Sequence, residues 1–214
     1  MIVPYSACMA PTFLLNTAGR SQGRPREFVL EEVLDKALTL FSERGYHATS
    51  VDDLKSAIGL TTGSIYKAFG DKRTLFLAAL DRYVATRQER LLQQISHGKS
   101  GYQKLEIMLR FYVGSAIGAD GARGCMVVGT ATDLSSLDQE FADKVTAAFT
   151  RNESMLKQML LLGKQDGSLR ADIEVDAAAY FLLCLLQGMR VVGKVGASRE
   201  KMMAVVDQAL ASFV

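Results

Sequence analysis

Apolar residues recur at helical spacing near the start of the chain. Between residues 25 and 45 they fall at i, i+3, i+4, i+7, i+8 and i+11, which is one face of a helix. Pro25 suits an early helix position and Gly45 a C-terminal stop, so the pattern predicts a first helix over residues 25–45. Its apolar positions are Leu30, Val33, Leu34, Ala37, Leu38 and Phe41.

Two short helices are predicted next. Thr49 and Ser50 are candidate N-caps, and acidic residues follow three positions later, as in a capping box. Gly59 ends this second helix. A third helix is predicted over residues 61–69 and ends at Gly70.

The rest of the chain continues the helical pattern, with Asp71 as the cap of a long fourth helix that reaches about residue 96. No strand pattern is present, so the predicted fold class is all-α. We divide the chain into an N-terminal arm (1–23), a small three-helix domain (24–76) and a larger helical domain (77–214). Further helices are predicted over residues 102–117, 125–134, 137–165, 175–195 and 199–213.

Composition changes this picture little. Hydrophobic residues make up 49% and charged residues 22% of the 214 residues, as in ordinary globular proteins. The 25 basic and 23 acidic residues nearly cancel, so net charge does not indicate a nucleic-acid binder. Any such argument must rest on where the charges lie.

Cysteine usage and hydropathy indicate the cellular compartment in which the protein is expected. The three cysteines are odd in number and lack a C-x-x-C spacing, which favours neither a disulfide framework nor a zinc site. We expect a cytoplasmic protein without a metal or cofactor. Residues 1–15 lack a basic region typical of a signal peptide. The apolar stretch 177–187 is shorter than the roughly 20 residues that a membrane span needs, so a buried helix is expected there.

The two short helices and the glycine turn between them are typical of a helix-turn-helix, whose last helix lies in the DNA major groove. Serine and threonine hydroxyls bind bases or phosphates, and Gly63 allows close approach of the backbone. Arg20, Arg24 and Arg26 precede or open the first helix, as in basic arms that contact DNA. Outward positions of the third helix are Thr61, Thr62, Ser64, Tyr66 and Lys67.

This region resembles the N-terminal domain of TetR-family regulators over residues 23–76. The first helix ends in ALTLFSERGY, the second contains TSVDDL, and the third reads AIGLTTGSIYKAFGDK from residue 57. The resemblance implies a homodimeric repressor of adjacent genes that a small effector releases from a palindromic operator. It also implies a phosphate contact by Lys72 and a dimer interface over residues 175–195 and 199–213. The full set of candidate DNA contacts is Arg24, Arg26, Thr49, Thr61, Thr62, Gly63, Ser64, Tyr66, Lys67 and Lys72.

An effector pocket of the concave, mostly apolar kind is expected in the larger domain. Taken singly, each apolar candidate is also an ordinary core residue. Tyr66 is alternatively an aromatic residue of the core. For His47 the resemblance implies a phosphate contact, and the alternative is a solvated loop residue. The candidate effector contacts are Met108, Phe111, Tyr112, Cys125, Met126, Thr130, Met155, Met159, Phe181 and Gln187.

Cys125 supports an alternative function. It lies in the segment RGCMVVG, which is similar to a glycine–cysteine motif of one branch of the family, and Arg123 is close in sequence. A thiolate beside a cation is reactive, so the alternative is a redox or electrophile sensor, set against a small buried hydrophobe. Cys184 is expected in the core. A small helical enzyme is disfavoured because no catalytic set of residues stands out.

Overall fold

The computed structural model describes residues 30–134 and 137–214, and the part of the chain it describes is helical without strands. The N-terminal arm with Arg20, Arg24 and Arg26 lies outside the described residues. The ten helices described are α1 (Leu30–Arg44), α2 (Val51–Ile58), α3 (Thr62–Phe69), α4 (Lys72–Ile95), α5 (Gly101–Ala116), α6 (Gly118–Arg123), α7 (Met126–Thr132), α8 (Gln139–Asp166), α9 (Val175–Lys194) and α10 (Arg199–Ala211).

The helix boundaries of the first domain follow from side-chain caps. The backbone N–H of Asp53 donates to Ser50 Oγ at 3.1 Å, and Ser50 N–H donates back to Asp53 Oδ2 at 2.9 Å, so the predicted capping box is confirmed. Gly59 ends α2 with φ of 81°, a left-handed conformation that favours glycine. Asp71 caps α4 by accepting from Thr74 N–H at 2.6 Å.

Two apolar cores share α4. The first packs α1–α3 and the start of α4 against α7 and the start of α8, with Phe41, Phe76 and Phe141 at its centre. The second joins the end of α4 to α5, α8, α9 and α10. Helix α4 is therefore one continuous element that runs through both cores.

Three features differ from the sequence prediction. The short α6 was not predicted, because its six residues include two glycines and offer no apolar period. Cys184 is exposed rather than buried in the core. Phe181 is 51% exposed, and it shares the outward face of α9 with Cys184. The apolar run predicts a buried helix, whereas only one side of α9 packs against α5 and α8.

Candidate nucleic-acid interface and pocket

Helix α3 is fixed at both ends and anchored by one side chain. Thr61 is the N-cap, and its hydroxyl accepts from Ser64 N–H at 3.2 Å. Ile65, 1% exposed, packs into the first core with α1 and α4. The C-cap is Gly70, whose N–H donates to Tyr66 O at 2.7 Å. Local caps and one anchor therefore hold the opposite face of the helix toward solvent.

The solvent face of α3 carries most of the predicted contacts. Thr61, Gly63, Tyr66 and Lys67 are exposed, and Tyr66 keeps 43% of its surface in solvent. Thr62 and Ser64 are partly exposed. A Cβ built on Gly63 meets nothing within 4 Å, so the backbone is open at this point. The face combines hydroxyls, one aromatic ring and one cation around a bare backbone, which suits a DNA groove.

Two predicted DNA contacts, Thr49 and Lys72, have structural partners within the protein. Thr49 is fully buried and donates its hydroxyl proton to Gly45 O at 2.7 Å, so it is corrected from a DNA contact to a structural residue. Lys72 Nζ donates to Tyr46 O at 3.1 Å and to Thr49 O at 3.0 Å, and lies 4.3 Å from the Tyr46 ring centroid. Two of its three donors thus hold the α1–α2 turn. His47 is exposed beside the Tyr46 ring.

Ion pairs tie the start of α4 to α8. The Arg73 guanidinium donates to the Asp138 carboxylate at 2.6 and 3.0 Å and to Glu140 at 2.6 Å. Lys144 on α8 donates to the carboxylate of Asp81, which follows Arg73 on α4, at 2.7 Å. Arg73 is therefore engaged by the larger domain.

A cavity opens between α4, α5, α8 and α9. Its empty volume is about 540 Å³, counting the part open to solvent. Its walls combine aromatic and aliphatic side chains with a few polar groups, as ligand pockets do. Half of the predicted effector contacts line it: Phe111, Tyr112, Cys125, Met155 and Gln187.

The other five predicted effector contacts lie elsewhere. Met108 and Met159 are buried in the second core without lining this cavity. Met126 and Thr130 line a separate cavity beside α1, and the buried Thr130 hydroxyl donates to Met126 O at 2.8 Å. Phe181 is on the surface of α9. Helical spacing gave apolar positions correctly but did not give the helix side that faces the opening.

Sequence reasoning missed several polar residues of the pocket, among them Arg87, Asn152 and Tyr83. Arg87 donates to Ser115 Oγ at 2.9 Å, and its guanidinium lies over three aromatic rings, 5.1 Å from the Phe111 centroid. Asn152 donates to the Tyr112 hydroxyl at 2.8 Å. Tyr83, on α4 like Arg87, also lines the pocket. In the sequence these residues resemble an ordinary polar helix surface, and only their neighbours in space distinguish them.

Cys125 lies in a cationic environment at the N-cap of α7. The Tyr83 hydroxyl donates to Cys125 Sγ at 3.3 Å. Burial opposes ionisation of the thiol, but the Arg190 charge, the Tyr83 hydrogen bond and the Val128 N–H outweigh it and lower the pKa of Cys125. Burial and the neighbouring thiol raise the pKa of Tyr83, so the tyrosine keeps its proton as a donor.

Comparison with known proteins agrees with this architecture. The family model described as "Bacterial regulatory proteins, tetR family" matches residues 33–79, and "Tetracyclin repressor-like, C-terminal domain" matches residues 101–209. The HTH-type transcriptional repressor ComR of Escherichia coli (strain K12) is 32% identical over 194 residues, 89% of this chain and 91% of that protein.

A structure of a cysteine mutant of the TetR family transcriptional regulator CifR, complexed with 26-bp double-strand operator DNA, is also similar. Its identity to this chain is 28% and its TM-score 0.77, and the match covers 90% of this chain and all of that one. The uncharacterized HTH-type transcriptional regulator YezE of Bacillus subtilis (strain 168) is 27% identical, over 88% of this chain and 97% of that protein.

Proposed function

The chain belongs to the TetR family of DNA-binding transcriptional regulators, which are not enzymes, and we propose that it is a cytoplasmic repressor released from a palindromic operator by a small effector. The observation that carries the proposal is the solvent face of α3, on which hydroxyls, Tyr66 and Lys67 surround the open backbone at Gly63. The operator-bound neighbour supports the same mode of binding.

In this proposal α3 enters the major groove. Lys67 contacts a phosphate, Tyr66 and the Thr61 and Thr62 hydroxyls contact the groove, and Gly63 permits close approach. Lys72 contributes its remaining donor at the edge of the surface, and Arg24 and Arg26 reach the flanking DNA. A dimer places two such helices about 34 Å apart, in successive major grooves.

The proposed dimer interface is the outward face of α9. Tyr180, Phe181, Val191 and Val192 are each more than half exposed, and Cys184 and Gly188 lie between them. By length and composition α9 resembles a membrane-spanning helix, with a mean hydropathy of 1.5. The other side of α9, however, is packed against α5 and α8. We therefore assign the exposed side of α9 to a second copy of the chain.

The second interface helix is expected to be apolar on its outward side. The outward residues of α10 are mostly polar, with Val205 as the main exception. On α8, which packs along α9, Leu161 is 56% exposed. We therefore propose a four-helix interface of α8 and α9 from each protomer, in place of residues 199–213.

Cys184 tests this interface directly, because it lies within the apolar stripe of α9. In a Cys8→Ser/Cys125→Ser background, a short bismaleimide should join two chains through Cys184. Phe181→Asp should convert the protein to a monomer in size-exclusion chromatography with light scattering. A dimer that survives this substitution and gives no crosslink would place the interface elsewhere.

The effector is proposed to bind in the cavity between α4, α5, α8 and α9. A ligand shifts the equilibrium only through differential affinity for the two states, and α4 connects this cavity to the DNA-binding domain. The decisive experiment is a footprint of the purified protein on DNA upstream of its own and adjacent genes. Protection of an inverted repeat is expected, and no protected site on any fragment would refute the repressor proposal.

A second candidate function is electrophile or oxidant sensing through Cys125. The observation that favours it is the Tyr83 hydroxyl and Arg190 charge beside a thiol at the pocket wall. Alkylating the protein should then release operator DNA, and Cys125→Ser should bind the operator but no longer respond. Release that persists in Cys125→Ser would reject the sensor.

A further inference from the structure

A second cavity lies at the junction of the two domains, beside the proposed effector pocket, with which it shares Tyr83 and Arg87. It is bounded by α1, α4, α6 and α9, and its empty volume is about 660 Å³ including the part open to solvent. We call it the junction cavity. Its polar walls include Ser42 from α1, Arg87 and Arg90 from α4, Arg123 from α6 and Arg190 from α9.

Unpartnered hydrogen-bond donors concentrate in this cavity. Arg190 is 3% exposed and donates one hydrogen bond, from Nη2 to Gly124 O at 2.6 Å. Its Nε and Nη1 are buried without a hydrogen-bond partner in the described part of the protein, and so is Ser42 Oγ. Arg123 Nε also lacks a hydrogen bond there, although it lies 3.9 Å from Glu43 Oε1. Burying a cationic donor without a partner is costly, so these groups point to a ligand.

The charges around the junction cavity are unbalanced. Four arginines line it against two aspartates. Asp35 is already bound by Arg82 at 2.6 and 2.8 Å, and Asp120 by Arg123 Nη1 at 3.0 Å. Among the described residues no carboxylate lies within ion-pair distance of Arg87, Arg90 or Arg190. The walls therefore carry excess positive charge that nearby acids do not neutralise.

We propose that the junction cavity binds a small oxyanion, either free phosphate or the phosphate group of a metabolite. Guanidinium groups match the oxygens of phosphate with paired hydrogen bonds, and the Ser42 hydroxyl adds a neutral donor. The donors that lack a hydrogen bond converge from α1, α6 and α9. Convergence from three helices suits a tetrahedral anion better than a planar carboxylate. Ser42, Arg123 and Arg190 do not line the effector pocket, so the proposed site does not depend on the proposed effector.

A bound oxyanion would link the two domains. Ser42 belongs to the DNA-binding domain, whereas Arg190 is on the helix that forms the proposed dimer interface. A ligand that contacts both stabilises the arrangement in which they face each other, since binding to the folded state adds to stability. The junction cavity therefore gives the cell's phosphate or phosphorylated metabolites a way to bias operator binding.

The test uses the full chain and inorganic phosphate. Thermal unfolding is measured in a non-phosphate buffer with added sodium phosphate or with sodium chloride at equal ionic strength. Phosphate is expected to raise the midpoint by several degrees more than chloride, and calorimetric titration should give a single saturable site per chain. Malonate, a dianion whose oxygens belong to two planar carboxylate groups, should raise the midpoint less.

Variants connect the effect to the proposed residues. Arg190→Gln should remove the excess response to phosphate, and the milder Ser42→Ala should reduce it even if Arg190→Gln does not fold. Arg110→Gln is the matched control, because Arg110 pairs with Glu106 and Asp207 outside the cavity.

Three results would overturn the proposal. One is an equal effect of phosphate and chloride on the wild-type chain. Another is a Ser42→Ala variant with an unchanged phosphate response, when Arg190→Gln also responds like the wild type or does not fold. The third is a larger response to malonate than to phosphate, which would reject the tetrahedral anion. Operator footprints in phosphate-free buffer test the repressor proposal separately, because none of these three results affects them.

Discussion

The guanidinium of Arg73 makes two hydrogen bonds, of 2.6 and 3.0 Å, to the carboxylate of Asp138. Arg73 is in the first turn of α4, just after the DNA-binding helices, and Asp138 is the N-cap of α8. This pair joins the two domains at their surface. It also leaves Lys67, without an ion pair among the described residues, as the cation on the outward face of α3.

These two cations should affect operator binding differently. Lys67→Gln is expected to weaken binding and to reduce the slope of log affinity against log salt by about 1, because one phosphate contact is lost. Arg73→Gln should leave that slope unchanged, since its guanidinium is held by Asp138 and Glu140. Fluorescence anisotropy at several salt concentrations measures both. Equal slopes for Lys67→Gln and wild type would remove Lys67 from the interface.

Gly63 allows DNA binding to be separated from folding. Its φ is not positive and a Cβ would meet no atom within 4 Å, so Gly63→Ala fits the free protein. Because alanine favours helix over glycine, the free energy of unfolding should rise by up to about 1 kcal/mol. The same methyl group would separate α3 from the operator and lower affinity by about tenfold or more, about 1.4 kcal/mol.

Denaturant unfolding and operator titration on the same preparation check this prediction. Ala68→Gly, on the same helix but away from the outward face, is a matched control that should lower stability and leave affinity unchanged. A Gly63→Ala protein with wild-type operator affinity would contradict the proposed docking of α3.

The capping residues could be predicted from the sequence, because caps are local. Ser50 and Asp53 are three residues apart, and a side chain at that spacing reaches its partner whenever the helix forms. The family resemblance likewise gave α3 as the outward helix. The surroundings of Thr49 are not local in the sequence, since Lys72, 23 residues later, donates to the Thr49 carbonyl.

The pocket was predictable only in part, for a similar reason. Apolar spacing identified Tyr112 and Met155 on the inner sides of α5 and α8, because burial repeats with the helix. It could not identify Arg87 or Arg190, which belong to the cavities through contacts between distant helices. Arg190 had one local signal, a charge near the end of the apolar run on α9.

The stability of the protein should fall in acid partly through Asp71. The Thr74 backbone and side-chain hydrogen bonds lower the pKa of Asp71 below its ordinary value of 3.8. A carboxyl whose pKa is lower in the folded state stabilises fully above 3.8, and this contribution is lost as pH falls through the folded pKa. Asp71→Asn keeps an N-cap but cannot titrate.

Unfolding of both proteins from pH 7 to pH 2 tests this difference. The midpoints should be similar near neutrality, and the wild type should lose more stability than Asp71→Asn as pH falls below 3.8. Asp52→Asn is the control, because Asp52 is exposed on α2 and does not cap α2 or α4. Parallel pH curves for wild type and Asp71→Asn would show that the cap does not titrate in this way.

The Cys125 thiol should ionise at lower pH than an ordinary cysteine, whose pKa is 9.0. In a Cys8→Ser/Cys184→Ser background, iodoacetamide reacts with the single remaining thiol in proportion to its thiolate fraction. The pH at half-maximal rate should lie below 9.0 in the folded protein and near that value in denaturant.

Tyr83→Phe removes the hydroxyl that donates at 3.3 Å and should move the midpoint upward, whereas Tyr102→Phe, outside this cavity, should not. If the folded and denatured proteins share one midpoint, the cationic environment does not activate Cys125, and the sensor alternative loses its physical basis.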